Sequence, residues 1–118
     1  MTTKPSSPIE FSNSIDNVTD RIDTVATRLP SDFLSSLEKI CPSSTSTTDL
    51  VEHSRDWWPL AMHWALNAMT TRRPGVVCRP TSTIQVSEVV KLCAKSSVPV
   101  TVSGGRSGVC GAAVPLFA

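Results

Sequence analysis

The feature that most constrains this chain is an alternating apolar run that breaks into glycines. Val98, Val100 and Val102 alternate with Pro99 and Thr101, and the next residues include Gly104, Gly105, Gly108 and Gly111. The alternation predicts a strand. Glycines lack a β-carbon, so their backbone N–H groups can converge on an anion at close range. The pattern therefore predicts a strand that leads into an anion-binding loop of the kind that holds phosphate groups.

Composition and charge exclude several classes of protein. The chain has 118 residues, of which 40% are hydrophobic and 18% charged, as in an ordinary soluble domain with a modest core. It carries 11 basic and 10 acidic residues, a net charge of +1, without a run of Lys and Arg. This balance argues against a nucleic-acid surface and indicates that any anion is bound locally.

Apolar runs and cysteine spacing bear on location. The longest apolar run, residues 112–118, is far shorter than the ~20 residues that a membrane helix needs, so no transmembrane segment is predicted. The first thirty residues contain acidic side chains and no apolar core of a signal peptide. We expect a cytoplasmic protein with reduced thiols. No zinc site is predicted, because the four cysteines of the chain are not spaced as zinc ligands are. They are Cys41, Cys78, Cys93 and Cys110.

The first part of the chain is predicted to be a flexible tail followed by helices. Residues 1–13 are rich in Ser, Thr and Pro, which favours the tail, and residues 14–72 form the helical region. One helix is predicted behind a Ser14 cap, with a stripe at Ile15, Val18, Ile22, Val25, Ala26 and Leu29. A second is predicted from Phe33, Leu34, Leu37, Ile40 and Cys41. The low-complexity segment 42–48 favours turns and caps over any regular element.

A third helix is predicted to begin at Pro59, because proline suits the first turn. Ala61, Trp64, Ala65 and Ala68 share one face of it. The three tryptophans, Trp57, Trp58 and Trp64, are interpreted as anchors to the rest of the fold, with a ring-stacking platform as the alternative. His63 is expected at the surface.

Residues 73–118 have a different pattern, which predicts a strand, a helix and a second strand. Gly75–Arg79 is the first strand, and Pro80 ends it. Ser82 and Gln85 form a capping box. The helix stripe comprises Val86, Val89, Val90, Cys93, Ala94 and Ser97. The second strand is the run from Val98 to Val102, so the segment predicts a β-α-β unit with parallel pairing.

Two common nucleotide loops do not fit the glycines. A Walker A loop needs a Lys after its last glycine, and none is present. A Rossmann fingerprint lies at the first strand-to-helix turn, whereas these glycines follow the second strand.

The run from Arg73 to Pro115 resembles the FAD-binding domain of the vanillyl-alcohol-oxidase-type flavoproteins, also called PCMH-type. Pro80 with Ser82 and Val86 matches the entry to that family's first helix, and Val98-Pro99-Val100 matches its Ile/Val-Pro-Val. Residues 102–115 align with its phosphate loop, Pro-x-Gly-Gly-Gly-Thr-Ser-Leu-x-Gly-Gly-Ala-Val-Pro. The upstream His-Ser-Arg-Asp-Trp-Trp-Pro is similar to FAD-linked oxidases near the glycolate oxidase subunit, D-lactate dehydrogenase and alkylglycerone-phosphate synthase groups. The resemblance implies an α+β fold, in which N-terminal helices precede the first β-α-β unit of an incomplete PCMH-type domain.

The resemblance also implies FAD as the cofactor. Backbone N–H groups of Gly104, Gly105, Ser107 and Gly108, with the Ser107 hydroxyl, are expected to hold its diphosphate. The whole expected site comprises Val102, Ser103, Gly104, Gly105, Arg106, Ser107, Gly108, Val109, Gly111 and Ala112.

Arg106 and Cys110 are two loop residues whose roles need a separate interpretation. Members that bind flavin covalently through this loop carry His where this chain has Arg106, so non-covalent FAD is predicted. The guanidinium is expected to pair with a phosphate or with a carboxylate of the neighbouring domain. Cys110 is interpreted as a small apolar residue that fills a tight space.

The expected function is FAD-dependent oxidation of a small 2-hydroxy acid, such as D-lactate, glycolate or 2-hydroxyglutarate, by hydride transfer to flavin. The first alternative is a transferase like alkylglycerone-phosphate synthase; a partner-binding module is the other. Since the family's domain extends well beyond the phosphate loop, these 118 residues are expected to be an inactive fragment that binds FAD weakly and tends to aggregate. No catalytic base is identified.

Overall fold

A computed structural model describes residues 17–21 and 28–117. Helices and two small sheets make up the fold, in agreement with a mixed α+β class. In chain order the elements are β1 (Thr19–Asp20), α1 (Phe33–Glu38), β2 (Ser43–Ser44), α2 (Thr47–Glu52), α3 (Pro59–Leu66), β3 (Met69–Thr70), β4 (Val77–Cys78) and α4 (Thr83–Ser96). Strands β1 and β3 pair in parallel, and β2 and β4 pair antiparallel.

The longest helix, α4, has both ends fixed by local chemistry. The Ser82 hydroxyl accepts from the backbone N–H of Gln85 at 3.2 Å, as the capping box predicts, and the Gln85 side chain accepts from the N–H of Thr81 at 2.7 Å. At the other end Ser97 adopts a left-handed backbone with φ of 54°, and its N–H bonds to the last carbonyls. This conformation ends the helix and turns the chain back across it.

The core lies between α1 and α4. It consists of Phe33, Leu37, Cys41, Val89 and Cys93, all buried. The main-chain N–H of Arg79 also donates to the Pro42 carbonyl at 2.8 Å, next to the β2–β4 pair. Elements on both sides of residue 73 therefore share one core. Helices α1, α3 and α4 lie where the sequence predicts helices, at Phe33, at Pro59 and after Ser82.

The helix predicted behind Ser14 is wrong at Thr19 and Asp20, which form strand β1. Most of its other positions lie outside the described residues. The N–H of Thr19 donates to the Ala68 carbonyl at 3.1 Å, and the Asp20 carboxylate accepts from Arg73 at 2.9 Å and from the Thr70 hydroxyl at 2.8 Å. Pairing with a segment fifty residues away outweighs the local helical spacing.

Two further predictions need correction. The segment 42–48 contains strand β2, although Ser46 does cap α2 as expected by accepting from the N–H of Asp49. The run from Val98 to Val102 forms no strand, and β4 pairs antiparallel with β2 rather than parallel with that run. Pro99 has no N–H to give to a ladder, and Val100 and Val102 lie exposed. The parallel β-α-β pairing is therefore absent among the described residues.

Membrane-crossing helices are also absent from the described ranges, where no helix combines enough length with enough apolar character.

Candidate functional site

The glycine loop, residues 102–112, runs irregularly over the surface. Val102 is 83% exposed, and only Arg106 and Gly111 are partly covered by the rest of the chain. The segment from Ser97 onward contains Arg106 as its one charged residue. The loop is therefore open to a ligand and carries no acidic side chain that would repel an anion.

Backbone donors are available along this loop. No backbone carbonyl within the described ranges accepts from the N–H groups of Gly104, Gly105, Ser107 or Gly108. All four residues are exposed. Unpaired N–H groups in a glycine-rich turn are the donors that bind phosphate oxygens in other anion sites, so the loop offers donors of this kind.

The fold itself does not require glycine at Gly104 or Gly108. A β-carbon built at either position meets no heavy atom within 4 Å, and neither residue has the left-handed φ that favours glycine. A ligand that approaches the backbone closely would explain why glycine occupies these two positions. Gly111 is different, because its φ is +78° and a β-carbon there would lie 3.1 Å from Cε3 of Trp58.

Arg106 points away from the open donors and towards α2. Its guanidinium donates to the main-chain carbonyl of Glu52 and lies 3.8 Å from the Glu52 carboxylate. The Arg106 side chain is 19% exposed. A phosphate and a carboxylate of the neighbouring domain are the two partners expected for this guanidinium. In the structure it lies beside a carboxylate, which belongs to the preceding helical region.

The segment between α2 and α3 supports the loop at two more points. The N–H of Trp57 donates to the Gly108 carbonyl at 3.0 Å, and the ring of Trp58 lies against Gly111. Trp58 also meets Trp64 edge to face, with ring centroids 5.8 Å apart. The Trp58 ring thus contacts both α3 and the loop, as an anchor would, whereas the contact of Trp57 is made by its main chain. His63 is exposed, as expected.

An apolar cleft of about 270 Å³ adjoins the loop. Its walls come from α1, β4, the valines of α4 and residues 98–103, with Ala113 and Pro115, so the cleft lies beside both ends of the loop. Burial, together with the neighbouring Cys41 thiol, raises the pKa of Cys78 to about 11, and burial also raises the pKa of Cys93. These thiols stay protonated near neutral pH, which makes them apolar lining and poor nucleophiles.

The expected site residues divide into groups. Gly104, Gly105, Ser107 and Gly108 offer free donors, whereas Arg106 and Gly111 bind the loop to the chain. Val102, Ser103, Val109 and Ala112 are exposed beside them. Cys110 is exposed too, so the expectation that it fills a tight space is wrong.

The sequence predicts Trp57 and Trp58 as anchors but does not identify the glycine loop as their partner, and it does not single out Glu52. Arg106 has a left-handed φ of 54°, which directs its side chain to Glu52. No sequence pattern predicts this conformation.

Comparisons with known proteins match part of this chain. Residues 74–117 match a family model described as an FAD binding domain. A D-lactate dehydrogenase of Anaerostipes hadrus is 50% identical over 44 residues, which cover 37% of this chain and 9% of that protein. The chain thus spans less than a tenth of that relative's length, and no solved structure matches. Residues 74–117 are thus similar to an FAD binding domain, and this similarity supports FAD as the cofactor.

Proposed function

We propose that this chain is the FAD-binding part of a flavin-dependent oxidoreductase that oxidises a small 2-hydroxy acid. The match to an FAD binding domain and the similarity to a protein named D-lactate dehydrogenase support this assignment. The observation that carries it is the exposed row of unpaired N–H groups at residues 104–108. They lie beside glycines that the fold does not itself require.

In the proposed complex, the N–H groups of Gly104, Gly105, Ser107 and Gly108 hold the FAD diphosphate, with the Ser107 hydroxyl as a further donor. Many small dipoles then balance the phosphate charges without a dedicated cation. Bound FAD supplies the acceptor for a hydride from the substrate carbon. The part of this chain is to bind the diphosphate and fix its position against the fold.

FAD is proposed to bind non-covalently. Arg106 occupies the position of the histidine to which related proteins attach flavin, and a guanidinium does not form that bond. Its contacts with Glu52 support a role in holding the loop instead.

The binding site is tested with valine at Gly104 and Gly108. A β-carbon at either position meets no heavy atom within 4 Å, so the thermal midpoint should change little while the Kd for FAD rises at least about tenfold. Ser87→Val is the control, because Ser87 is exposed on α4, outside the loop. Calorimetric titration with FAD and with FMN, which lacks the diphosphate, reads the binding. Unchanged FAD affinity in both loop variants would contradict the proposal.

The reaction is tested on flavin-loaded protein under anaerobic conditions. D-lactate or glycolate should bleach the visible absorption of the flavin if a hydroxy acid is the substrate. Covalent capture of a dihydroxyacetone-phosphate ester without bleaching would favour the transferase instead.

A further inference from the structure

Residues 52–58, which we call the strap, touch the glycine loop at three separate places. Glu52 contacts Arg106, Trp57 contacts Gly108, and Trp58 contacts Gly111. The two segments are about fifty positions apart in the sequence, and the contacts are of three different kinds: an ion pair, a main-chain hydrogen bond and ring packing. Together they fix the loop at its middle and at its far end.

The first contact compensates for an unfavourable backbone. Arg106 has a φ of 54°, in the left-handed region that costs a non-glycine residue energy. The bond from its guanidinium to the Glu52 carbonyl and the nearby Glu52 carboxylate act against that cost. Holding Arg106 in this conformation also places its side chain on the strap rather than across the open N–H groups.

The second contact orients a peptide group. The N–H of Trp57 holds the Gly108 carbonyl at 3.0 Å. In a trans peptide the C=O and the following N–H point in opposite directions. The N–H of Val109 therefore points away from Trp57, and Val109 itself is exposed.

The third contact is rigid because the strap is itself fixed. Trp58 lies against Gly111, and the Trp58 N–H donates to the Asp56 carboxylate at 2.9 Å. Asp56 is completely buried. The ring that supports Gly111 thus belongs to a residue whose main chain is bonded to a buried carboxylate of the same segment.

We propose that the strap is a positioning element that preorganises the glycine loop for its anion, with Glu52 and Arg106 as the latch. This proposal rests on the proposed function, since the anion is the FAD diphosphate. The guanidinium stays on Glu52 when the cofactor binds, and the backbone donors alone contact the phosphates. A loop that is already held in its binding conformation loses less freedom on binding, which strengthens affinity.

The Glu52→Gln variant tests whether Glu52 holds the loop through Arg106 or instead keeps the Arg106 guanidinium from binding phosphate. If Arg106 is a latch, removing the carboxylate loosens the loop and weakens FAD binding by about twofold to fivefold, the range expected of a partly exposed ion pair. If Arg106 is instead a phosphate ligand that Glu52 withholds, the same variant releases it and FAD binds more tightly. The sign of the change decides between them.

A second variant and a matched control complete the set. Glu52 also pairs with Arg55 at 3.2 Å, so Arg106→Gln is made in parallel, because it breaks the latch and leaves that pair intact. Glu38→Gln removes an exposed carboxylate from α1 and controls for the general loss of negative charge.

Hydrogen exchange at the Trp57 amide provides a readout that needs no cofactor. Its N–H bonds to Gly108, so loosening the loop should speed its exchange several-fold in Glu52→Gln and in Arg106→Gln, but not in Glu38→Gln. Exchange that stays at the wild-type rate in both latch variants, or tighter FAD binding in Glu52→Gln, would overturn the proposal. If the wild-type chain binds no FAD, the proposed function fails, and the Trp57 exchange still decides whether the latch exists.

Discussion

The ring of Trp58 occupies the space into which a side chain at Gly111 would extend, with Cε3 only 3.1 Å from the position of a β-carbon. Gly111 also has a φ of +78°, which L side chains rarely adopt. Space and backbone conformation therefore both restrict position 111 to glycine.

Gly111→Ala should lower the free energy of unfolding by about 1–2 kcal/mol, the cost of a left-handed non-glycine residue, with a further contribution from the contact with Trp58. Urea unfolding monitored by tryptophan fluorescence measures it. Gly104→Ala is the control and should change stability by less than about 0.5 kcal/mol, because no atom lies near its β-carbon. Equal losses in the two variants would show that the ring does not constrain the loop.

Leu37→Ala should destabilise the chain by about 2–5 kcal/mol, since it leaves a cavity between α1 and α4 where Leu37 is only 1% exposed. Ile84→Ala, on the exposed side of α4 where the side chain is 73% exposed, should change stability little. Chemical denaturation compares the two. Similar small effects would mean that α1 does not pack on α4 in solution.

Stability should fall as the pH is lowered from about 4 towards 2. The hydrogen bond from Ser44 and the neighbouring Arg79, 2.7 Å away, lower the pKa of Asp49 from 3.8 to about 2. Because the folded pKa lies below the unfolded one, the ionised carboxylate stabilises the fold above the unfolded pKa. That contribution is lost as pH falls through the folded pKa. In Asp49→Asn the urea midpoint should depend less on pH across this window, and an unaltered slope would contradict the assignment.

Cys110 should react first with a thiol reagent under native conditions. It is exposed, whereas Cys41 and Cys93 are buried and the pKa of Cys78 is raised to about 11. Mass spectrometry after brief labelling at neutral pH should find one rapidly modified site, which Cys110→Ser removes. Rapid modification that persists in the serine variant would place a second reactive thiol at the surface.

Acid precipitation of the flavin-loaded chain should leave the yellow colour in the supernatant, because Arg106 does not form the covalent bond that a histidine would. The absorption spectra of supernatant and redissolved pellet measure the partition. Flavin that remains with the pellet would contradict non-covalent binding.

Elements fixed by neighbouring residues could be predicted from the sequence. The beginning of α4 follows from Ser82 and Gln85, which lie within one turn of each other, and Pro59 begins α3 as its position predicts. The irregular, exposed segment at residues 102–112 likewise coincides with its glycines. In each case the determining residues lie within a few positions of the structure that they determine.

Features that depend on distant partners could not be predicted. Strand β1 exists because residues 19–20 meet residues 69–70, and β2 because residues 43–44 meet 77–78. Both strands are only two residues long, too short for an alternating pattern to reveal them. The contact of Arg106 with Glu52 depends in the same way on where α2 packs.

The different environments of the glycines have a consequence for selection. A mutational scan scored only for folded yield should retain glycine at position 111 and accept other small residues at positions 104 and 108. A scan scored for flavin colour should retain glycine at all three. The difference between the two tolerance profiles would separate the glycine that serves the protein's own architecture from those that serve its cofactor.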